Sequence, residues 1–220
     1  MKIVCISDMH GNLLSIPECQ ILLIAGDICP TSNHSPVFQS NWLDTTFREW
    51  LKLVPARHII GTTGNHDLIF QDFPHLVPEE LPWHYLQDSS IVLDGLKFYG
   101  TPWQNYFCNW AFNAPEKDVE EHFLAEKFNQ IPDDTDVLIC HSPPYGYGDQ
   151  VKQNVAWATD EHLGSKALMS RIKQIKPKLV CYGHIHTGNS INVLDDIKMV
   201  NASLLNEDYR VVNEPVIIEL

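Results

Sequence analysis

Five short clusters in this sequence carry side chains that bind metal ions, and each follows an apolar run. They are Asp8 and His10 in Ser7-Asp8-Met9-His10-Gly11, Asp27 in Ala25-Gly26-Asp27, and Asn65, His66 and Asp67 after Gly64. The last two are His141 ahead of Ser142-Pro143-Pro144, and His184 and His186 in Gly183-His184-Ile185-His186. Two divalent ions about 3.5–4 Å apart can clamp the attacking and leaving oxygens of a phosphoryl displacement. A carboxylate such as Asp27 can bridge such a pair. Neutral imidazoles suit Zn, Fe and Ni, whereas carboxylate and amide oxygens suit Mn. The mixed set therefore points to a pair of transition-metal ions, manganese first, with Fe, Zn or Ni also fitting. Such ions bring the pKa of a shared water to near 7 and make hydroxide available for attack.

The elements that must position these residues can be read from the apolar runs. Lys2 to Ser7, Ile21 to Ala25, Arg57 to Ile60, Asp136 to Cys140 and Lys178 to Tyr182 read as buried strands. One of the five clusters follows each. Helices are predicted over Asn41 to Val54, Pro115 to Asn129 and Glu161 to Ile175. Asp94-Gly95 marks a hairpin within Ser90 to Tyr99, and the pattern from Asn189 onward is β. Alternating strands and helices imply α/β layers. Parallel strands place ligands at their carboxyl ends, so the five clusters converge. No repeat or linker divides the chain, and one domain over residues 1–220 is expected.

Charge and composition narrow the partners. The 28 acids outnumber the 15 bases and give a net charge of −13. That disfavours a docking surface for duplex nucleic acid, which needs clustered Lys and Arg. It leaves a small phosphoester substrate open, because a cation-bearing pocket attracts phosphate whatever the rest of the surface carries. No run approaches the ~18 apolar residues of a membrane helix. Residues 1–10 reach Asp8 and His10 before any signal-peptide core could form. The six cysteines form no CxxC pair, and a reducing, cytoplasmic setting is expected. The oligomeric state is open.

The ordered series DxH, GD, GNHD, His-Ser-Pro-Pro and GHIH resembles the calcineurin-like metallophosphoesterase family. The resemblance runs from residue 3 to about 190. It implies a four-layer α/β/β/α sandwich with the site at one edge of two sheets. It also implies that Asp8, His10, Asp27 and His186 hold one metal, and that Asp27, Asn65, His141 and His184 hold the other. Asp27 would be shared, and Asn65 would also stabilise charge on the phosphoryl oxygens. By the same resemblance His66 is the general acid and Asp67 orients its imidazole. Tyr99-Gly100-Thr101-Pro102-Trp103, Pro177-Lys178 and Val200-Asn201-Ala202-Ser203 are similar to the MPPED subgroup, which is linked to cyclic nucleotide phosphodiesterases. The implied activity is phosphodiester hydrolysis on small or cyclic nucleotides by a metal-bridging hydroxide.

Other readings compete. A phosphomonoesterase of the same fold and a catalytically silent metal-binding scaffold are the alternatives. The second is disfavoured because all seven ligands and His66 are present. A nuclease acting on polynucleotide ends fits the acidic charge poorly. No arginine follows the GD motif, so no second basic clamp is visible and diesters are favoured over monoesters. Trp103 is a candidate substrate contact. Tyr145, Tyr147 and Trp157 are candidates to cap the site. His34, His58, His75, His84, His122 and His162 have no motif context and are assigned to surface or packing.

Overall fold

The computed structural model describes residues 1–118, 120–151 and 161–220. In chain order the strands and helices begin with β1 (Lys2–Ile6), β2 (Cys19–Ala25), α1 (Pro36–Trp42), α2 (Arg48–Leu53), β3 (Ala56–Thr62), α3 (Leu68–Asp72) and β4 (His84–Tyr85). There follow β5 (Ser89–Leu93), β6 (Leu96–Thr101), α4 (His122–Phe128), β7 (Val137–Cys140), α5 (Lys166–Ile175), β8 (Leu179–Tyr182), β9 (Ser190–Leu194), β10 (Ile197–Asn201) and β11 (Val216–Glu219). A wider π-helical stretch, Leu43–Phe47, joins α1 to α2.

The strands form two sheets. One has the order β11-β1-β2-β3-β4 and the other β5-β6-β7-β8-β10-β9. In the first, β1 to β4 are parallel and β11 pairs antiparallel at the edge. In the second, β6, β7, β8 and β10 are parallel, with β5 and β9 antiparallel at the two edges. Successive side chains on a strand point to opposite faces, and that rule sorts the core. Ile3, Cys5, Ile21, Leu23, Val137, Ile139, Leu179 and Cys181 form one apolar cluster between the sheets. Their neighbours Val4, Leu22, Leu138 and Val180 join a second cluster with helix residues such as Phe47, Leu51, Phe128, Leu168 and Ile172. The result is the α/β sandwich that the motif series implied. Among the described residues no helix is long and apolar enough to cross a membrane.

Asp94 and Gly95 both have positive φ (49° and 81°), as a two-residue hairpin requires, and they join β5 to β6. Two predicted helices are shorter than their patterns. The helix expected from Pro115 begins only at His122, where the Asp118 carboxylate accepts the amides of His122 and Phe123 at 2.9 Å each. The helix expected from Glu161 begins at Lys166. Ser165 caps it, its hydroxyl accepting the Leu168 amide at 3.1 Å. The Glu121 carboxylate takes the amides of Lys166 and Ala167 at the same end. The β pattern expected after Asn189 is broken from Ala202 to Pro215 by an irregular loop that reaches the site described next.

Candidate metal centre

The parallel strands β1, β2, β3, β7 and β8 all end at one edge, where the two sheets meet. There Ser7 donates its amide to Ala202 (2.9 Å) and accepts that of Leu204 (3.0 Å), which joins the sheets by hydrogen bonds. Just past the strand ends the chain turns sharply. Asp8, His10, Asp27 and His184 have φ of 54°, 43°, 52° and 68°. Four non-glycine residues in the left-handed region store strain of the kind that clusters at functional sites. These turns let each polar side chain face its neighbours.

Gly26 and Gly183 permit this crowding. A Cβ on Gly26, whose φ is +103°, would meet His141 Nδ1 at 2.6 Å. One on Gly183 would stand 2.0 Å from Ser7 Oγ and 2.1 Å from Asp8 Oδ2. Gly183→Ala is therefore expected to push Asp8 out of place. The overpacking cost of about 2–3 kcal/mol converts to a fall in Tm of roughly 4–12 °C for a chain of this size. Weaker divalent-metal binding should accompany it. Calorimetry and metal titration of the variant check both.

The side chains converge closely. His10 Nε2 lies 3.3 Å from His186 Nε2 and 3.5 Å from Asp27 Oδ2. His186 Nε2 lies 3.6 Å from Asp8 Oδ1. On the other side His141 Nε2 lies 2.8 Å from Asn65 Oδ1 and 3.6 Å from Asp27 Oδ2. Asp27 Oδ2 is thus common to both groups. The His184 ring meets that of His141 edge-on at 5.1 Å, and its amide donates to both oxygens of Asp8 at 3.0 Å. Ser203, just past the end of β10, donates its hydroxyl to Asp8 Oδ2 at 2.6 Å. All seven residues predicted as ligands come together at this edge, and ligand atoms within 4.8 Å of one another form three overlapping groups: Asp8, His10 and His186; His10, Asp27 and His66; and Asp8, Asp27 and His141.

The electrostatics fit a cation. Burial, then the charges of Asp67 and Asp8, raise the Asp27 carboxyl well above the ordinary carboxylate range. Burial raises Asp67 too, although amide hydrogen bonds from Cys29, Gly64 and Ile28 oppose it. Burial also works to raise Asp8, but His186, His141 and His10 outweigh it and hold the group well below its ordinary value. Burial lowers His10, His141 and His184, so these rings are neutral and free to ligate at pH 7. His186 is the exception. Its burial is overcome by the Asp8 carboxylate, and the ring is raised. His10 Nδ1 is buried without a hydrogen-bond partner, and two Nε2 atoms face each other. Buried carboxylates beside neutral imidazole lone pairs are stabilised by divalent ions held among them. This donor set fits divalent metal ions.

His66 sits beside the cluster. Its amide donates to Asp27 Oδ1 at 2.8 Å, and its ring packs edge-on to His10 at 4.9 Å and tilted on Trp110 at 4.1 Å. The orienting role expected of Asp67 is not what the structure gives. The Asp67 oxygens accept the amides of Ile28, Cys29 and Gly64 at 2.8–3.2 Å and so tie the GD loop to the GNHD loop. The partner of the His66 ring is His34, which the sequence left without a role: its Nε2 is 3.0 Å from His66 Nδ1.

A cavity of about 900 Å³ opens over the cluster. Its lining includes Phe107, Trp110 and Tyr209, and also Tyr145 and His162 further out. Tyr209 stands edge-on to His10 at 4.9 Å and to His186 at 5.5 Å. It comes from the irregular C-terminal loop, where no motif signalled it. His162, also read as surface or packing, shares the cavity wall with its Nδ1 2.7 Å from the buried Asp149. Trp103, a candidate substrate contact, does not line the cavity. It is buried, donates its indole N–H to Asp88 at 2.7 Å, and lies under the Lys127 ammonium at 4.0 Å and against Phe112 and Phe123. Tyr147 packs against the core, and Trp157 lies outside the described residues.

Two sheets, a helix layer outside each, and a cluster of His, Asp and Asn at their shared strand ends define a metal-dependent phosphoesterase architecture. The chain belongs to the calcineurin-like phosphoesterase family, whose sequence model matches residues 1–188. It is 32% identical over 246 residues to human metallophosphoesterase domain-containing protein 1, covering all of this chain and 71% of that protein. It is 30% identical to the UPF0046 protein T07D4.2 of Caenorhabditis elegans, covering 100% of this chain and 60% of that one. One solved structure superposes with a TM-score of 0.62 at 18% identity, covering 91% of this chain and 89% of the other. The crystal structure of TT1561 of Thermus thermophilus superposes with a TM-score of 0.55 at 14% identity, covering 91% and 88%. These last two likenesses establish the fold.

Proposed function

We propose that this protein is a binuclear metal-dependent phosphodiesterase acting on small phosphodiesters of the nucleotide or cyclic-nucleotide type. The observation that carries the reading is the position of Asp27 Oδ2, 3.5 Å from His10 Nε2 and 3.6 Å from His141 Nε2. Asp8, His10 and His186 would hold an ion on one side of Asp27, and Asn65, His141 and His184 would hold one on the other. Bound there, divalent cations supply Lewis acidity that acidifies water and withdraws charge from phosphoryl oxygens.

The protein's own groups supply the rest. The Asn65 side-chain amide is placed to stabilise charge developing on a phosphoryl oxygen. His66, at the cavity edge of the cluster, is the proton donor to the leaving oxygen. Burial and the neighbouring His34 lower its ring to about 3, so it is neutral at pH 7 when no substrate is bound. An anionic phosphoester beside it favours the protonated form, which couples proton supply to substrate binding. Phe107, Trp110 and Tyr209 offer apolar walls to the substituents of the ester.

The cavity lining favours diesters. It includes Glu121, Glu161 and Glu207, and among its described residues Lys166 is the one lysine or arginine. A dianionic monoester meets more repulsion there than a monoanionic diester. A reducing cytoplasmic setting accords with Cys5, Cys19, Cys29, Cys140 and Cys181, which are buried and unpaired.

The test is hydrolysis of bis(p-nitrophenyl) phosphate and p-nitrophenyl phosphate, with and without added Mn. Diester cleavage that is lost on chelation and restored by Mn is the expected result. Turnover of the monoester alone would make the enzyme a phosphomonoesterase. A metal-loaded protein that turns over neither would be an interaction scaffold.

A further inference from the structure

We infer that His34 is the positioning residue of the proton donor: its Nε2 accepts the His66 Nδ1–H, which turns His66 Nε2, the nitrogen that hands its proton to the leaving oxygen, toward the substrate. The inference rests on the catalytic reading of His66 given above, and it names a residue outside every motif of the sequence. Its ground is the 3.0 Å separation of His34 Nε2 and His66 Nδ1. A neutral imidazole has one N–H and one lone pair, and the bond made by one ring nitrogen decides which of them the other presents.

The surroundings make this a built contact. The segment carrying His34 leads from β2 into α1 and is fixed at both ends. Asn33 Oδ1 accepts the Ser35 amide at 2.8 Å, and Pro36 opens the helix. Three residues further on, the wholly buried Gln39 donates to the His66 carbonyl at 2.6 Å and accepts the Ile69 amide at 3.0 Å. The start of α1 therefore holds the ring of His66 through His34 and its backbone through Gln39. Trp110 closes one side of the ring at 4.1 Å and His10 another at 4.9 Å. With Nδ1 engaged by His34, the ring cannot flip without losing a hydrogen bond in a buried place, which is costly.

The role makes a specific demand on substrates. A nitrophenolate leaves without help, whereas an alkoxide must be protonated as it departs. Loss of His34 should therefore slow esters in proportion to how poor their leaving group is. A merely structural histidine would slow all esters alike.

The experiment compares wild type, His34→Ala and His34→Gln, each loaded with Mn and checked for equal metal content and thermal stability. The substrates are bis(p-nitrophenyl) phosphate and 2′,3′-cyclic AMP. If only monoesters turn over, p-nitrophenyl phosphate and glycerol 2-phosphate replace them. For His34→Ala, kcat on the alkoxide substrate should fall by roughly tenfold or more, the scale for a residue that orients a catalytic group. KM should hold, and the nitrophenyl ester should change little. The glutamine carbonyl oxygen can accept the same N–H, and His34→Gln should recover most of the loss. Equal loss on both substrates, no loss, or no rescue by glutamine overturns the proposal. The ¹⁵N shifts of the His66 ring in the diamagnetic zinc form give a readout that needs no turnover. Nδ1 should carry the proton in the resting wild type, and that preference should be lost in His34→Ala. A wild type that hydrolyses nothing would sink the catalytic reading, while an unchanged His66 tautomer in His34→Ala would sink this one.

Discussion

Asp27→Asn should abolish metal-dependent hydrolysis and at the same time stabilise the metal-free protein. Asp27 Oδ2 faces both ligand groups, and an amide in its place carries no charge to bridge two cations. Lewis-acid stabilisation is worth several kcal/mol, so kcat should fall by roughly 10³-fold or more. The stability effect runs the other way. Burial, then Asp67 and Asp8, raise the Asp27 carboxyl well above its unfolded value of 3.8. A raised carboxyl contributes stability that is full below the unfolded pKa and is lost as pH rises through the folded one. As pH rises above that unfolded value toward 7 the contribution falls away, and without metal the buried carboxyl is a burden. Asparagine removes the burden and can keep the bond from the His66 amide to Oδ1. The metal-free variant should melt above metal-free wild type at pH 7, and the gap should close as pH falls toward 4. Thermal melts across that range check the sign. A variant that melts below wild type at pH 7 would mean that Asp27 is not a strained carboxylate held ready for cations.

His66→Ala should lower kcat by roughly 10²–10⁴-fold, the span expected for a general acid, while metal content stays at the wild-type level. The second half matters as much as the first. His66 lies close enough to His10 and Asp27 for the three to form a possible ligand group, so geometry alone allows it to bind an ion. Its Nδ1 is already engaged by His34 and its ring lies on Trp110, which fits a proton donor at the cavity edge. Metal analysis beside the kinetics separates the two roles. Loss of an ion with loss of rate makes His66 a ligand, and loss of rate alone makes it the acid. The deficit should also be larger for alkoxide than for nitrophenolate leaving groups.

Much of this arrangement was legible in the sequence because it obeys short-range rules. Ile3 to Ile6 and Ile21 to Ala25 are unbroken apolar runs because their alternate side chains fill two cores, Cys5 and Leu23 in one and Val4 and Leu22 in the other, and such runs read as strands of a parallel sheet buried on both faces. The Asp94-Gly95 turn fixes the β5–β6 hairpin. Strand ends bearing Asp8, Asp27, His141 and His184 follow from the parallel order. What was not legible depends on contacts far apart in the chain. His34 meets His66 across 32 residues, and Ser203 meets Asp8 across 195. No local pattern encodes either meeting. The same applies to Tyr209, which an irregular loop carries over the rings of His10 and His186.

Two errors have a different origin. Trp103 lies two residues beyond a β-strand, and its type does not say which way the chain will turn it. The Asp88 carboxylate and the Lys127 ammonium claim it for the core. Asp67 was assigned to the His66 ring by the family resemblance. Three backbone amides converge on its carboxylate instead, so it shapes the loops that carry Asp27 and Asn65. Helix starts were misplaced for a related reason. Asp118, Glu121 and Ser165 satisfy the first amides of α4 and α5, and side chains of that kind set a boundary that apolar spacing does not.

The central claim is that one carboxylate, Asp27, joins two metal positions into a phosphodiester-cleaving centre. The most direct measurement is a titration of the metal-free protein with Mn, following ions bound per chain and hydrolysis of bis(p-nitrophenyl) phosphate on the same samples. The account predicts two ions per chain, with hydrolysis rising as the second site fills and neither seen in Asp27→Asn. Full hydrolysis with a single bound ion, or two ions bound equally well by Asp27→Asn, would contradict it.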